Sequence, residues 1–186
     1  MNTKRMLLII ILISLSFSAI SKNKVIDFKL YKSLKSNEGL VVLVIDINFR
    51  ISKISVGKEG KIFPVYSFKK LKPGTQMRII KLKEGAYFWK EGIGRTGNTT
   101  YTFDIDKERT SFTVKAGKLN YPGTLQFRGW KEGDDVVFSH NMLNNSSIIA
   151  EELDKNYDEI IKKYSLIYSG LKPDPFLEFN DQLDNN

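Results

Sequence analysis

From Val25 to Phe138 the chain is a succession of short apolar stretches, each closed by glycine, proline or a charged turn, and this rhythm favours strands over helices. Ile26, Phe28 and Leu30 alternate with polar neighbours, the pattern of a half-buried strand. Leu40 to Ile45 is an uninterrupted apolar run after Gly39, which suits a central strand covered on both faces, and Ile47, Phe49 and Ile51 extend it with alternation. Lys58-Glu59-Gly60-Lys61 reads as a turn into a strand over Ile62 to Phe68, where Pro64 implies an edge or irregular position. After the Pro73-Gly74 turn, Gln76 to Leu82 is again extended. In the following strand Ala86, Phe88 and Lys90 face one way and Tyr87, Trp89 and Glu91 the other. Gly92 to Asn98 matches neither the lysine pattern of a phosphate loop nor a dinucleotide fingerprint and reads as a hairpin loop. Further short stretches carry Tyr101, Phe103 and Ile105, then Phe112 and Val114 after a charged turn at Asp106 to Arg109, then Tyr121 to Phe127 and Val136 to Phe138. The expectation is a mainly β protein, an antiparallel β-sandwich of about seven to nine strands.

Past Asn145 the period changes. Ile149, Leu153, Tyr157, Ile160, Tyr164 and Ile167 form one stripe on a helix, with Ser146 or Ser147 as its cap and Gly170, Pro173 and Pro175 ending it. Such a stripe must be buried, so a C-terminal amphipathic α-helix packed on the sandwich is expected. The N-terminus has a different organisation: Lys4 and Arg5, an apolar run from Met6, and Ala19-Ile20-Ser21 make the layout of a secretory signal peptide cut before Lys22. The expected division is therefore a signal peptide at 1–21, a β-sandwich domain at 22–142, the helical segment at 143–172 and a polar tail at 173–186. With the signal removed, no transmembrane span is expected, and the protein is placed outside the cytoplasm, in the periplasm or secreted.

Charge is unevenly spread. Residues 22–133 hold 23 basic and 10 acidic side chains, a net of +13, whereas residues 134–186 hold 4 and 11, a net of −7. A basic body with an acidic end suits an anionic partner, and export makes nucleic acid the wrong one. The partner expected is an envelope protein or an anionic envelope polymer. Composition narrows the chemistry further: the absence of cysteine excludes disulfides, thiolate metal sites, cysteine nucleophiles and a lipidated N-terminal cysteine, and the single histidine, His140, excludes multi-histidine metal sites. No cofactor is expected, and no feature specifies an oligomeric state.

The Leu-Lys-Glu-Gly-Ala-Tyr turn at 82–87, with Phe112, Val114, Gly117, Tyr121, Gly123 and Leu125, resembles the uncharacterised exported bacterial domains that carry a carboxypeptidase-regulatory-like, or prealbumin-like, β-sandwich. The resemblance covers residues 40–130 and rests on turn and core positions, so it implies a fold and an exported setting rather than an activity. Many members carry a lipidation cysteine, and this chain has none.

Three constellations invite chemistry. Tyr87, Trp89 and Trp130, near Lys90, Lys131 and Arg128 in sequence, are the candidate binding surface for a glycan or partner loop. Asp104 and Asp106, two apart on a strand with carboxylates about 6–7 Å apart, are weak candidates for a cation site or for the acid and base of a glycosidase, with hairpin solubility as the plainer role. His140 has no nucleophile elbow to serve and reads as a loop histidine. The function expected is that of an exported non-enzymatic structural or binding module of the cell envelope, with a carboxylate-dependent hydrolase of an envelope polymer as the alternative.

Overall fold

The computed structural model describes residues 33–96, 99–133 and 135–177. The signal peptide, the strand expected at Ile26 to Leu30 and the end of the polar tail lie outside them. Within them the chain is mainly β, built as two sheets that share one core, an arrangement compatible with the expected β-sandwich.

The long apolar run becomes β1 (Glu38–Ile47), and its two faces serve different layers. Val41, Leu43, Ile45 and Ile47 point into the core between the sheets, while Leu40, Val42 and Val44 point into a second cluster on the outer face. With period 2, a strand covered on both sides has no place for a polar residue, which is why the run is unbroken. Along one edge β1 pairs antiparallel with β4 (Gly74–Lys83), from Glu38 opposite Lys83 to Ile47 opposite Gly74. Its other edge is divided: Leu40 and Val41 pair with β8 (Leu119–Tyr121), and Val44 to Ile47 with β9 (Thr124–Glu132), both in parallel. β10 (Asp135–Leu143) joins β9 antiparallel, and β11 (Leu166–Tyr168) joins β8 in parallel.

The second sheet repeats the device. β3 (Tyr66–Leu71) and β5 (Gly85–Thr96) flank β2 (Ile51–Lys58), and the far edge of β5 is shared by β7 (Ser111–Val114) at its start and β6 (Thr99–Asp104) at its end. Eleven strands are present among the described residues, rather than seven to nine, and the pairing is mixed rather than wholly antiparallel. The extra strands arise because two long strands each divide an edge between two others, and three-residue strands such as β8 and β11 are too short to show alternation. The stretch read as a glycine loop is strand as far as Thr96. Gly92 lies under the ring of Phe103 on the neighbouring strand, where a Cβ would clash, so its glycine makes room for cross-strand packing.

The charged turn at Asp106 is a short helix, α1 (Lys107–Thr110), whose N-cap is Asp106. A longer helix, α2 (Ser146–Ile161), lies over the outer face of the first sheet, with Ile149, Leu153 and Ile160 in the cluster that holds Leu40, Val42 and Val44. Its extent corrects the sequence reading. The N-cap is Asn145 rather than a serine, the helix bends at Tyr157, and Tyr164 and Ile167 lie beyond its end. β8 would otherwise expose an unpaired edge, and residues 165–169 close it: Leu119 N–H donates to Ser165 O at 3.0 Å and Ser169 N–H to Tyr121 O at 2.9 Å. Strand pairing there overrides the helical period. No helix among the described residues is long and apolar enough to cross a membrane.

One side chain ties these parts together. Asn120, fully buried on β8, accepts from Lys115 N–H at 2.8 Å and donates to the carbonyls of Leu40 at 2.9 Å, Lys115 at 3.0 Å and Lys118 at 3.1 Å. It joins the 115–118 turn to β1, and Gly39 permits the approach, since a Cβ there would meet Asn120 Nδ2 at 2.8 Å.

If the outer face of β1 depends on α2, Leu153→Ala should lower the unfolding free energy by about 2–5 kcal/mol. Ile148→Ala on the exposed side of the same helix should change it by less than about 0.5 kcal/mol. Urea denaturation of both variants is the measurement, and equal small effects would show that α2 does not cover β1.

Candidate functional site

The aromatic surface expected from the sequence is divided by the fold. Trp89 is fully buried beside Phe68, with ring centroids 5.9 Å apart, and its Nε1 has no hydrogen-bond partner among the described residues. Tyr87 is buried as well, stacked on Phe112 with centroids 5.8 Å apart, and its hydroxyl donates to Lys83 O at 2.6 Å. Alternation had assigned Tyr87 and Trp89 correctly to one face of β5, and that face is the interior. Trp130 and Lys131 are exposed near the end of β9, beyond Phe127, which pairs with Ile47 at the C-terminal end of β1. Arg128 is engaged with Asp46, whose carbonyl it reaches at 2.9 Å and whose carboxylate it pairs with. A continuous surface of Tyr87, Trp89, Lys90, Trp130 and Lys131 is therefore not formed.

The two carboxylates are also separate in role. Asp106 Oδ1 accepts from Glu108 N–H at 2.9 Å and Oδ2 lies 3.3 Å from Arg109 Nε, so this side chain is occupied in starting α1. Asp104 is exposed on β6 opposite Glu91, which pairs with Lys53 at 2.9 Å. Among the described residues no group of three or more His, Asp or Glu side chains is placed to hold a metal ion. His140 Nε2 accepts from Asp106 N–H at 3.1 Å and its ring lies nearly parallel to that of Phe127. Burial holds its pKa below the usual histidine value, with Asp106 acting in the opposite direction and Arg109 reinforcing the shift.

Of the expected residues, Lys90 and Tyr87 each border a segment that the sequence reading took for strand. β2 ends at Lys58, and the chain turns through Gly60, at φ 71°, with Lys61 N–H donating to Lys58 O at 3.0 Å. Pairing with β2 resumes only when Val65 N–H reaches Val56 O at 2.8 Å, because Pro64 has no N–H to offer. Between these points Ile62 and Phe63 project into solvent, 81% and 80% exposed. Lys90 holds the backbone behind them, its Nζ donating to Ile62 O at 2.5 Å.

Beside this tip is an open hollow of about 430 Å³, with Leu82 and Tyr87 at its base and Lys58, Lys61, Lys81 and Lys83 around it. Lys58 Nζ donates to Glu84 O at 3.0 Å and stands 5.1 Å from the Tyr87 ring centroid. The one acidic residue among the described lining residues is Glu38, whose carboxylate accepts from Lys35 N–H at 3.0 Å. Among the described residues no carboxylate pairs with any of the four lysines. The surrounding segment has the same bias, since residues 51–83 contain nine basic side chains and a single acidic one, Glu59, which pairs with Lys107 at 3.0 Å. A wider hollow of about 640 Å³ near α1 and the C-terminal segment mixes Glu108 with Arg109 and Lys172 and has no comparable sign. The charge of segment 51–83 was readable in the sequence; the exposure of Ile62 and Phe63 was not.

Compared with known protein families, with curated proteins and with solved structures, the chain matches none.

The histidine gives a pH test. Because the folded state lowers the pKa of His140, its contribution to stability is complete above about pH 6.5 and is lost as pH falls through the folded value. The melting temperature should therefore drop more between about pH 7 and pH 5 in the native protein than in His140→Gln, which cannot take up the proton. Parallel slopes would show that the histidine does not contribute.

Proposed function

We propose that this chain is an exported, non-enzymatic binding module of the cell envelope, of the carboxypeptidase-regulatory-like kind, working in the periplasm or at the outer surface. It holds an anionic envelope component against the basic flank formed by β2, β3 and β4. The observation that supports this most directly is the ring of four lysines around one hollow, without carboxylate partners among the described residues. Exposed lysines gathered at one sign raise the local concentration of an anionic partner, and their effect is screened by salt.

The reading is tested by co-sedimentation of the protein with envelope fractions of its own cell. It should sediment at low salt and be released at high salt. Lys81→Glu and Lys83→Glu should each weaken binding by about fivefold or more, from the loss of about 1 kcal/mol per positive charge at an anionic surface. Lys131→Glu, away from the hollow, should leave binding unchanged. Absence of binding at both salt concentrations would overturn the proposal.

A further inference from the structure

We propose that the anionic component is a lipid bilayer surface, and that Ile62 and Phe63 enter its interfacial layer while the lysines beside them contact headgroups. This rests on the envelope-binding reading above and names its partner.

Three features of the tip point to lipid. Ile62 and Phe63 are adjacent, large and apolar, and each is about four-fifths exposed, whereas the exposed large apolar side chains elsewhere among the described residues, Trp130, Ile148, Leu171 and Phe176, are between 39% and 57% exposed. Single exposed apolar residues are ordinary, but a pair at the tip of one loop, continued by the exposed Val65, forms a patch. The tip is also held in place, fixed by Lys90 at Ile62 O, by the Lys61 to Lys58 turn and by the return to β2 at Val65. Its exposure is thus a property of the folded backbone.

The shape and the charge select among partners. The tip projects, and a projecting apolar wedge fits a fluid interface without a complementary cavity, whereas a protein partner would have to supply one. Lysines next to the wedge can lay their methylenes along the apolar layer and keep their ammonium groups at the phosphates. Lys58, Lys61, Lys81 and Lys83 are grouped with the tip around one hollow, so insertion and headgroup contact occur together. One apolar tip alone gives weak, reversible attachment, and the added charge makes the attachment specific for anionic membranes.

The test uses the natively processed protein and vesicles of phosphatidylcholine with and without phosphatidylglycerol. Binding is expected only where phosphatidylglycerol is present, and it should weaken as salt rises. Phe63→Ser and Ile62→Ser should each reduce vesicle affinity by about tenfold with the melting temperature unchanged, because neither side chain packs in the core. All variants share one N-terminus, so the difference reports the tip. As a second readout, Phe63→Trp in a Trp130→Phe background should give blue-shifted emission that is quenched by bromine-labelled lipid chains. Serine variants that bind vesicles like the native protein, or a tip tryptophan that stays in water, would overturn the proposal. Binding to envelope fractions with none to anionic vesicles would also overturn it, leaving the envelope reading intact with a protein or polymer as partner. Failure to bind either would sink both.

Discussion

The burial of β1 on both faces is the constraint on which the rest depends. A strand without a solvent face needs a layer on each side, and here the second sheet supplies one and α2, with the residues that follow it, the other. Its edges are closed too, by β4 along one and by β8 and β9 in turn along the other. Each fully buried Leu, Ile or Val contributes about 1.5–3 kcal/mol, so the six consecutive residues Leu40 to Ile45 dominate the local balance. The turn at 115–118 carries the chain from β7 in one sheet to β8 in the other, and Asn120 satisfies backbone groups of this turn and of β1 that would otherwise be left unpaired.

The basic hollow sits where that frame begins. Glu38 opens β1 and Lys83 is its partner across the pair with β4, so the strand that is most deeply covered also fixes one wall of the hollow. Tyr87 forms the base from the other sheet, where its hydroxyl bonds to Lys83 O and joins the two sheets at this end. Lys58 ends β2, and Lys61 lies in the turn after it. Lys58, Lys81 and Lys83 are therefore mounted on strands, and the apolar tip projects from the connection that Pro64 prevents from pairing at once.

What was legible in the sequence follows from what writes a pattern. Burial on two faces writes an unbroken apolar run, and β1 was read from it; burial on one face writes alternation, and β4 and β5 were found where expected. Alternation gives two faces without saying which is inside, so Tyr87 and Trp89 read as a surface and are core. Parallel pairing leaves no local mark, because partners such as β1 and β9 are far apart in sequence. Tyr164 and Ile167 kept the helical period, yet the open edge of β8 claimed this segment for pairing. Ile62 and Phe63 looked like strand residues because apolar character is the same sign whether a side chain is buried or left exposed for a partner. Asp106 illustrates the converse: its role as the N-cap of α1 was within reach of the residue type, since aspartate before a short charged run is a cap signal.

Amide hydrogen exchange of the folded protein examines this frame most directly. Leu40 to Ile45 should exchange only through global unfolding and be the slowest in the chain, while Ile62 and Phe63, outside the ladder, should exchange orders of magnitude faster. Amides of β1 that exchange as readily as those of the edge strands β3 and β10 would contradict a strand covered on both faces and closed on both edges.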